Sequence, residues 1–132
     1  MIRDTISHMN EKILIVEDEP DIREAMAEAM AEAGYQVSTA ENGLVGLTLA
    51  QAEHPDLILL DIKMPVLDGL GMLDQLRLDD WGMTVKVIML TAMDDMQNIA
   101  DAHEKNIKDY VIKAHHSLDE IILKVKNVLF AE

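Results

Sequence analysis

The run LILLD, residues 57–61, drives four apolar side chains into a single carboxylate, Asp61. Other apolar runs end in the same manner. KILIV (12–16) is followed by Glu17 and Asp18, VKVIML (85–90) by Thr91, and DYVI (109–112) by Lys113. Taken singly, each polar residue has an ordinary structural role. Asp18 and Thr91 could cap helices, Lys113 could snorkel at the surface, and Asp61 could mark where a strand leaves the core. The recurrence of all of them after separate apolar runs points to chemistry instead. Clustered carboxylates repel one another and raise each other's pKa unless a cation neutralises them. Hard oxygen ligands with few histidines nearby favour Mg²⁺, which keeps several waters and leaves room for a phosphate. A carboxylate can attack phosphorus to form an acyl phosphate, provided that a metal ion and a lysine screen the two anions. The Thr91 hydroxyl could bond a phosphoryl oxygen only after it had arrived, which makes it a sensor.

Positioning these groups requires strands that end on one edge. Apolar runs alternate with stretches of helical spacing along the whole chain, predicting five strands and five helices. PDIREAMAEAMAEAGY starts at Pro20, suited to a first helical turn, and stops at Gly34, suited to a left-handed cap. Ile22, Met26, Ala29, Met30 and Ala33 share one face of it, and Glu24, Glu28 and Glu32 form a solvated stripe opposite. YQVSTA reads as a strand and NGLVGLTLAQAEH as a helix closed by Pro55. Further helices are expected over 70–78, over 94–106 with Asn106 in a left-handed cap, and over the stretch SLDEIILKVKNVLF. That last helix is expected to bury Leu118, Ile121, Ile122, Val125, Val128 and Leu129. In PVLDG (65–69), Gly69 is free to take a positive φ as the chain turns away from Asp61.

Such alternation implies right-handed crossovers and a parallel sheet covered on both faces. Strands buried on both sides read as continuous apolar runs, as three of these do. Ligands of open parallel sheets sit beyond the carboxyl ends of the strands, where the acids, Thr91 and Lys113 all fall.

With 132 residues the chain makes one α/β domain; no second domain is expected after the last helix. MIRDTISHMN (1–10) is expected to be leader or appended sequence preceding a domain over 11–132. No cysteine is present, which excludes a disulfide scaffold, a thiolate zinc site and a cysteine nucleophile, and is compatible with a cytoplasmic setting. Eleven basic residues against twenty-five acidic ones give a net charge of −14, which disfavours direct binding to nucleic acid or to anionic membranes. No apolar stretch is long enough to cross a bilayer.

Four motifs in this order, ILIVEDE, LILLDIKMPVLDG, VIMLTA and DYVIK, resemble the receiver domain of bacterial two-component response regulators. The resemblance runs over residues 12–131. It implies a flavodoxin-like (βα)5 fold with a parallel sheet of order 2-1-3-4-5. It further implies that Asp61 is the phosphoacceptor, supplied by a histidine kinase or a histidine phosphotransfer protein. Asp18 and Asp61 would ligate Mg²⁺ (or Mn²⁺) directly, Glu17 through water, and Lys63 through its backbone carbonyl. Lys113 would pair with the phosphoryl group, and Thr91 and Tyr110 would form the coupled switch. The face of helix 4, strand 5 and helix 5 would meet a downstream protein target, with the chain a monomer or a phosphorylation-dependent dimer. In that role the chain is no enzyme beyond its own phosphorylation and dephosphorylation.

Three departures from the family pattern carry expectations. Lys113 is followed by Ala114 where the family has a cis-linked proline, so either a strained cis bond, costing roughly 3–4 kcal/mol, or a trans bond with a rearranged loop is expected. Glu17-Asp18 replaces the commoner double aspartate. Lys63 and Met93, two residues past Asp61 and Thr91, are poor at orienting an attacking water, which predicts a slowly hydrolysing phosphoryl group as in relay-type receivers.

His115-His116 reads as an exposed loop, His54 and His103 as helix-surface residues, and Trp81 as a partly buried anchor after helix 3. Two other functions fit the residues less well. An aspartyl-phosphate phosphatase of the haloacid-dehalogenase type needs a second acid where Lys63 stands. A phosphorylation-independent interaction domain of the same fold has no use for an intact set of Glu17, Asp18, Asp61, Thr91 and Lys113.

Overall fold

The computed structural model describes residues 11–131; the proposed leader, and the chain's last residue, lie outside them. Five parallel strands, β1 (Lys12–Val16), β2 (Gln36–Ala40), β3 (Leu57–Asp61), β4 (Lys86–Thr91) and β5 (Asp109–Ile112), form a sheet of order β2-β1-β3-β4-β5. Five helices follow the strands in turn: α1 (Pro20–Glu32), α2 (Gly43–Glu53), α3 (Gly69–Arg77), α4 (Ile99–Glu104) and α5 (Leu118–Leu129). This is the expected flavodoxin-like sandwich.

The strand pleat divides the core in two. Ile13, Ile15, Leu57, Leu59, Ile88 and Leu90 face Met26 and Met30 of α1 and Ile121 and Val125 of α5. Leu14, Val16, Ile58, Leu60, Val87 and Met89 face Ala50 of α2, Met72, Leu73 and Leu76 of α3, and Ile99 and Ala102 of α4. All of β3 is buried, Asp61 included, because strands pack on both its edges and helices on both its faces.

Helix ends follow side-chain chemistry. Asn42 accepts from Val45 N, Asp68 accepts from Gly71 N, and Ser117 forms a reciprocal capping box with Glu120. Gly34 (φ 102°) and Asn106 (φ 65°) hold left-handed positions after α1 and α4, as expected. Arg77, at the end of α3, donates to the carbonyls of Gly82, Val85, Lys105 and Asn106, tying the end of α4 to the α3–β4 loop.

Several expectations need correction. The positive φ in PVLDG belongs to Val66 (φ 71°), not to Gly69. Gly69 is needed for a different reason: a Cβ there would collide with the Asp61 carbonyl oxygen, because Gly69 N bonds Ile62 O at 2.8 Å. The single helix expected over 94–106 is a 3₁₀ segment, Met93–Asn98, leading into the short α4. Asp94 and Asp95 in that segment are drawn into ion pairs with Lys63 across the strand ends, and the tighter winding accompanies this contact. Leu118 starts α5 but is exposed, since it lines an open groove against Ile22 and Ala25 of α1 that no other side chain fills.

Candidate functional site

Each predicted site residue except Tyr110 lies at a carboxyl strand end or in the loop that follows it. Glu17 follows β1, Asp61 ends β3, Thr91 ends β4 and Lys113 follows β5. Glu17 and Thr91 are completely buried and Asp61 is 3% exposed. The Lys113 ammonium reaches between the acids, 2.9 Å from Glu17 Oε1 and 3.1 Å from Asp61 Oδ2. Among the described residues no peptide bond is cis, so the Lys113–Ala114 bond is trans, and the lysine still reaches the acids. Its backbone explains how: Lys113 N donates to Thr91 O at 2.9 Å, which continues the sheet ladder past the last residue of β5.

Burial, and then hydrogen bonding and charge repulsion from Glu17, push the Asp61 carboxyl up to about 8 against the opposing pull of Lys113. For Glu17 burial also acts upward, but hydrogen bonds from Asp61 and Lys113 and the lysine charge outweigh it, leaving the group low. The two carboxyls thus share one proton beside one ammonium, with the proton on Asp61. A single lysine does not neutralise this cluster.

The oxygens of Glu17, Asp18 and Glu19 that could hold a metal lie within 4.8 Å of one another. Asp18, Glu19 and Asp61 also line one open cleft of about 280 Å³ with Lys113, Lys63 and Asp95. An all-carboxylate donor set beside a partly protonated buried acid fits a hard divalent cation. Arg23 of α1 donates to the carbonyls of Glu17 (2.9 Å) and Asp18 (3.4 Å), clamping the loop that carries the acids.

Thr91 Oγ1 donates to Ala92 O at 2.9 Å. Tyr110 is half-buried, its ring edge-on to His103 with centroids 6.1 Å apart; His103 itself is exposed on the surface of α4, as expected. His54 is exposed as expected but stacks on Trp81 at 4.5 Å. His115 is exposed, whereas His116 is half-buried with Nδ1 3.1 Å from Ile112 O.

Sequence reasoning missed Arg23, Glu19, Asp94 and Asp95. Glu19 adjoins the noticed pair in VEDEP and could have been read with it. Arg23, Asp94 and Asp95 carry no sequence signal, because their partners are set by loop geometry.

The profile of the family described as "Response regulator receiver domain" matches residues 13–126. The chain belongs to that family. Sporulation initiation phosphotransferase F of Bacillus subtilis (strain 168) is 38% identical over 121 residues, covering 92% of this chain and 95% of the relative. The probable transcriptional regulator ycf27 of Cyanophora paradoxa is 38% identical over 118 residues, 89% of this chain but 48% of its own length. This receiver therefore spans about half the length of the ycf27 relatives it matches. Among solved structures, the Francisella response regulator 1452 receiver domain superposes with a TM-score of 0.81 at 30% identity, covering 91% of this chain and 97% of that one. Vibrio cholerae CheY4, at 24% identity and a TM-score of 0.83, shares the fold over 89% of this chain and 98% of its own. The chain is a phospho-accepting signalling module of the two-component type, and these relationships favour neither the phosphatase nor the phosphorylation-independent reading. Among the described residues no helix is long and apolar enough to cross a membrane.

Proposed function

We propose that Asp61 accepts a phosphoryl group from the phosphohistidine of a histidine kinase or phosphotransfer protein, in a reaction that needs Mg²⁺ or Mn²⁺. The observation that carries this reading is the buried Asp61 carboxyl with the Lys113 ammonium 3.1 Å away at the mouth of an acidic cleft. Asp61 Oδ attacks phosphorus while the P–N bond breaks and the imidazole leaves with its electron pair. Strand β3 holds the nucleophile rigid, so little reorganisation accompanies the attack. Lys113 moves its charge from the acids to the phosphoryl oxygens as negative charge accumulates there. Asp18 and Asp61 would hold the cation, Glu17 would act through water, Lys63 would offer its backbone carbonyl, and Glu19 would complete the acidic wall. The bound cation supplies positive charge that keeps Asp61 ionised at neutral pH and screens the approaching phosphate.

Thr91 then turns its hydroxyl from Ala92 O toward the phosphoryl group, and Tyr110 moves into the space that the hydroxyl leaves. The two packings differ in contacts to the phosphoryl oxygens, so phosphorylation shifts their populations. The changed face comprises α4, β5 and α5, and a downstream protein target reads it. The protein acts in the cytoplasm, as a monomer or as a dimer formed on phosphorylation, and catalyses no reaction beyond its own phosphorylation and dephosphorylation.

Incubation with Mg²⁺ and a small phosphodonor, followed by intact mass, tests the assignment. One phosphoryl adduct is expected on the wild type and none on Asp61→Asn. An adduct that survives in the variant would overturn the choice of carboxylate.

A further inference from the structure

Asp95 is 3% exposed, although it sits in a short 3₁₀ segment beside an open cleft. Its carboxylate lies 3.1 Å from Lys63 Nζ, and Asp94 adds a longer contact of 3.4 Å to the same ammonium. Lys63 is otherwise a solvated side chain, 66% exposed. A long exposed lysine samples many rotamers unless something holds it, and a desolvated carboxylate is the stronger of its two anchors. Lys63, Asp94, Asp95 and Ala92 line the outer side of the cleft whose inner side carries Asp61 and Lys113.

We infer that Asp95 is a positioning residue: it clasps Lys63 across the mouth of the cleft and so controls how long a phosphoryl group on Asp61 survives. The inference rests on the assignment of Asp61 as phosphoacceptor. A phosphoryl group on Asp61 projects into the cleft, with Lys113 on its inner side and the Lys63–Asp95 pair on its outer side. Hydrolysis needs a water to reach phosphorus as the bond to Asp61 Oδ breaks, returning the free carboxylate and inorganic phosphate. The clasp fills the approach with the lysine stem and holds the Asp95 carboxylate in an ion pair with Lys63, so that the carboxylate is turned to the lysine and withheld from taking a proton from that water. Asp95 touches neither phosphorus nor its oxygens and acts only through Lys63.

The test follows decay of the adduct by intact mass after the donor is removed, in Mg²⁺ buffer, for wild type, Asp95→Asn, Lys63→Met and the double variant. Asp95→Asn is expected to shorten the lifetime by about three- to tenfold, the size of coupling that contacting charged residues show. Lys63→Met should have a similar effect, the double variant should decay no faster than either single one, and Asp95→Glu should restore part of the lifetime. Multiplying effects, or an Asp95→Asn lifetime equal to that of wild type, would overturn the clasp. A merely structural role for Asp95 would lower the melting temperature without this non-additivity. Failure of the wild type to form any adduct would instead remove the Asp61 assignment, a distinct outcome.

Discussion

Lys113 Nζ stands 3.1 Å from Asp61 Oδ2 even though the peptide that follows the lysine is trans. The placement is achieved through β5, whose pairing with β4 sets Ile112 beside Thr91 and carries Lys113 N to Thr91 O. The lysine is therefore positioned by the sheet before the turn at Ala114 begins.

Removing that ammonium leaves Glu17 and Asp61 buried without a cation. In metal-free protein, Lys113→Met is expected to cost about 3 kcal/mol in urea unfolding, with part of it recovered on adding Mg²⁺. Adduct formation should slow by about a hundredfold or more, the usual cost of losing a group that stabilises transition-state charge. Normal phosphorylation by the variant would show that the lysine has no part in the transfer.

The Asp61 carboxyl, raised to about 8 from an ordinary value of 3.8, makes stability depend on pH in an unusual direction. Between about pH 4 and pH 8 the folded protein binds more protons than the unfolded chain, so stability falls as pH rises through this window. The slope is at most about 1.4 kcal/mol per pH unit. Glu17, held low, acts below the window, and Lys113, held high, acts above it. Chemical denaturation in EDTA at pH 5.5 and pH 8 should show greater stability at the lower value. Asp61→Asn should flatten the dependence and raise stability at pH 8; a rising profile would contradict the proton assignment.

Met93 is 55% exposed at the start of the 3₁₀ segment, and Lys63 is held by acids. The phosphoryl group is accordingly expected to persist for minutes or longer in Mg²⁺ buffer. Met93→Gln, which can orient a water, should shorten that time. Loss within seconds in the wild type would refute the slow-hydrolysis reading.

Val66 is a β-branched residue at φ 71° and 75% exposed, so its conformation is strained and its side chain buries little. Val66→Asn should stabilise the protein by about 1 kcal/mol, because asparagine tolerates the left-handed region. A thermal melt should show a higher midpoint, and a lower one would mean that the isopropyl group makes contacts worth more than the strain.

Much of this molecule was legible before any coordinate. Three continuous apolar runs read as strands covered on both faces, two shorter and more polar runs as further strands, and alternation with helical periods left a parallel sheet as the economical solution. Residues at strand ends then had to share an edge, which brought Glu17, Asp18, Asp61, Thr91 and Lys113 together without knowledge of their distances. What the tertiary structure alone decided are contacts made across loops. The Lys63–Asp95 pair, the Arg23 clamp on the acid loop, the four carbonyls gathered by Arg77 and the positive φ at Val66 rather than Gly69 belong to this group. Periodicity encodes which face of an element is buried, since the hydrophobic effect acts on every residue of the face. A polar contact between two loops depends on where two independent turns end, and no local pattern in the chain records that meeting.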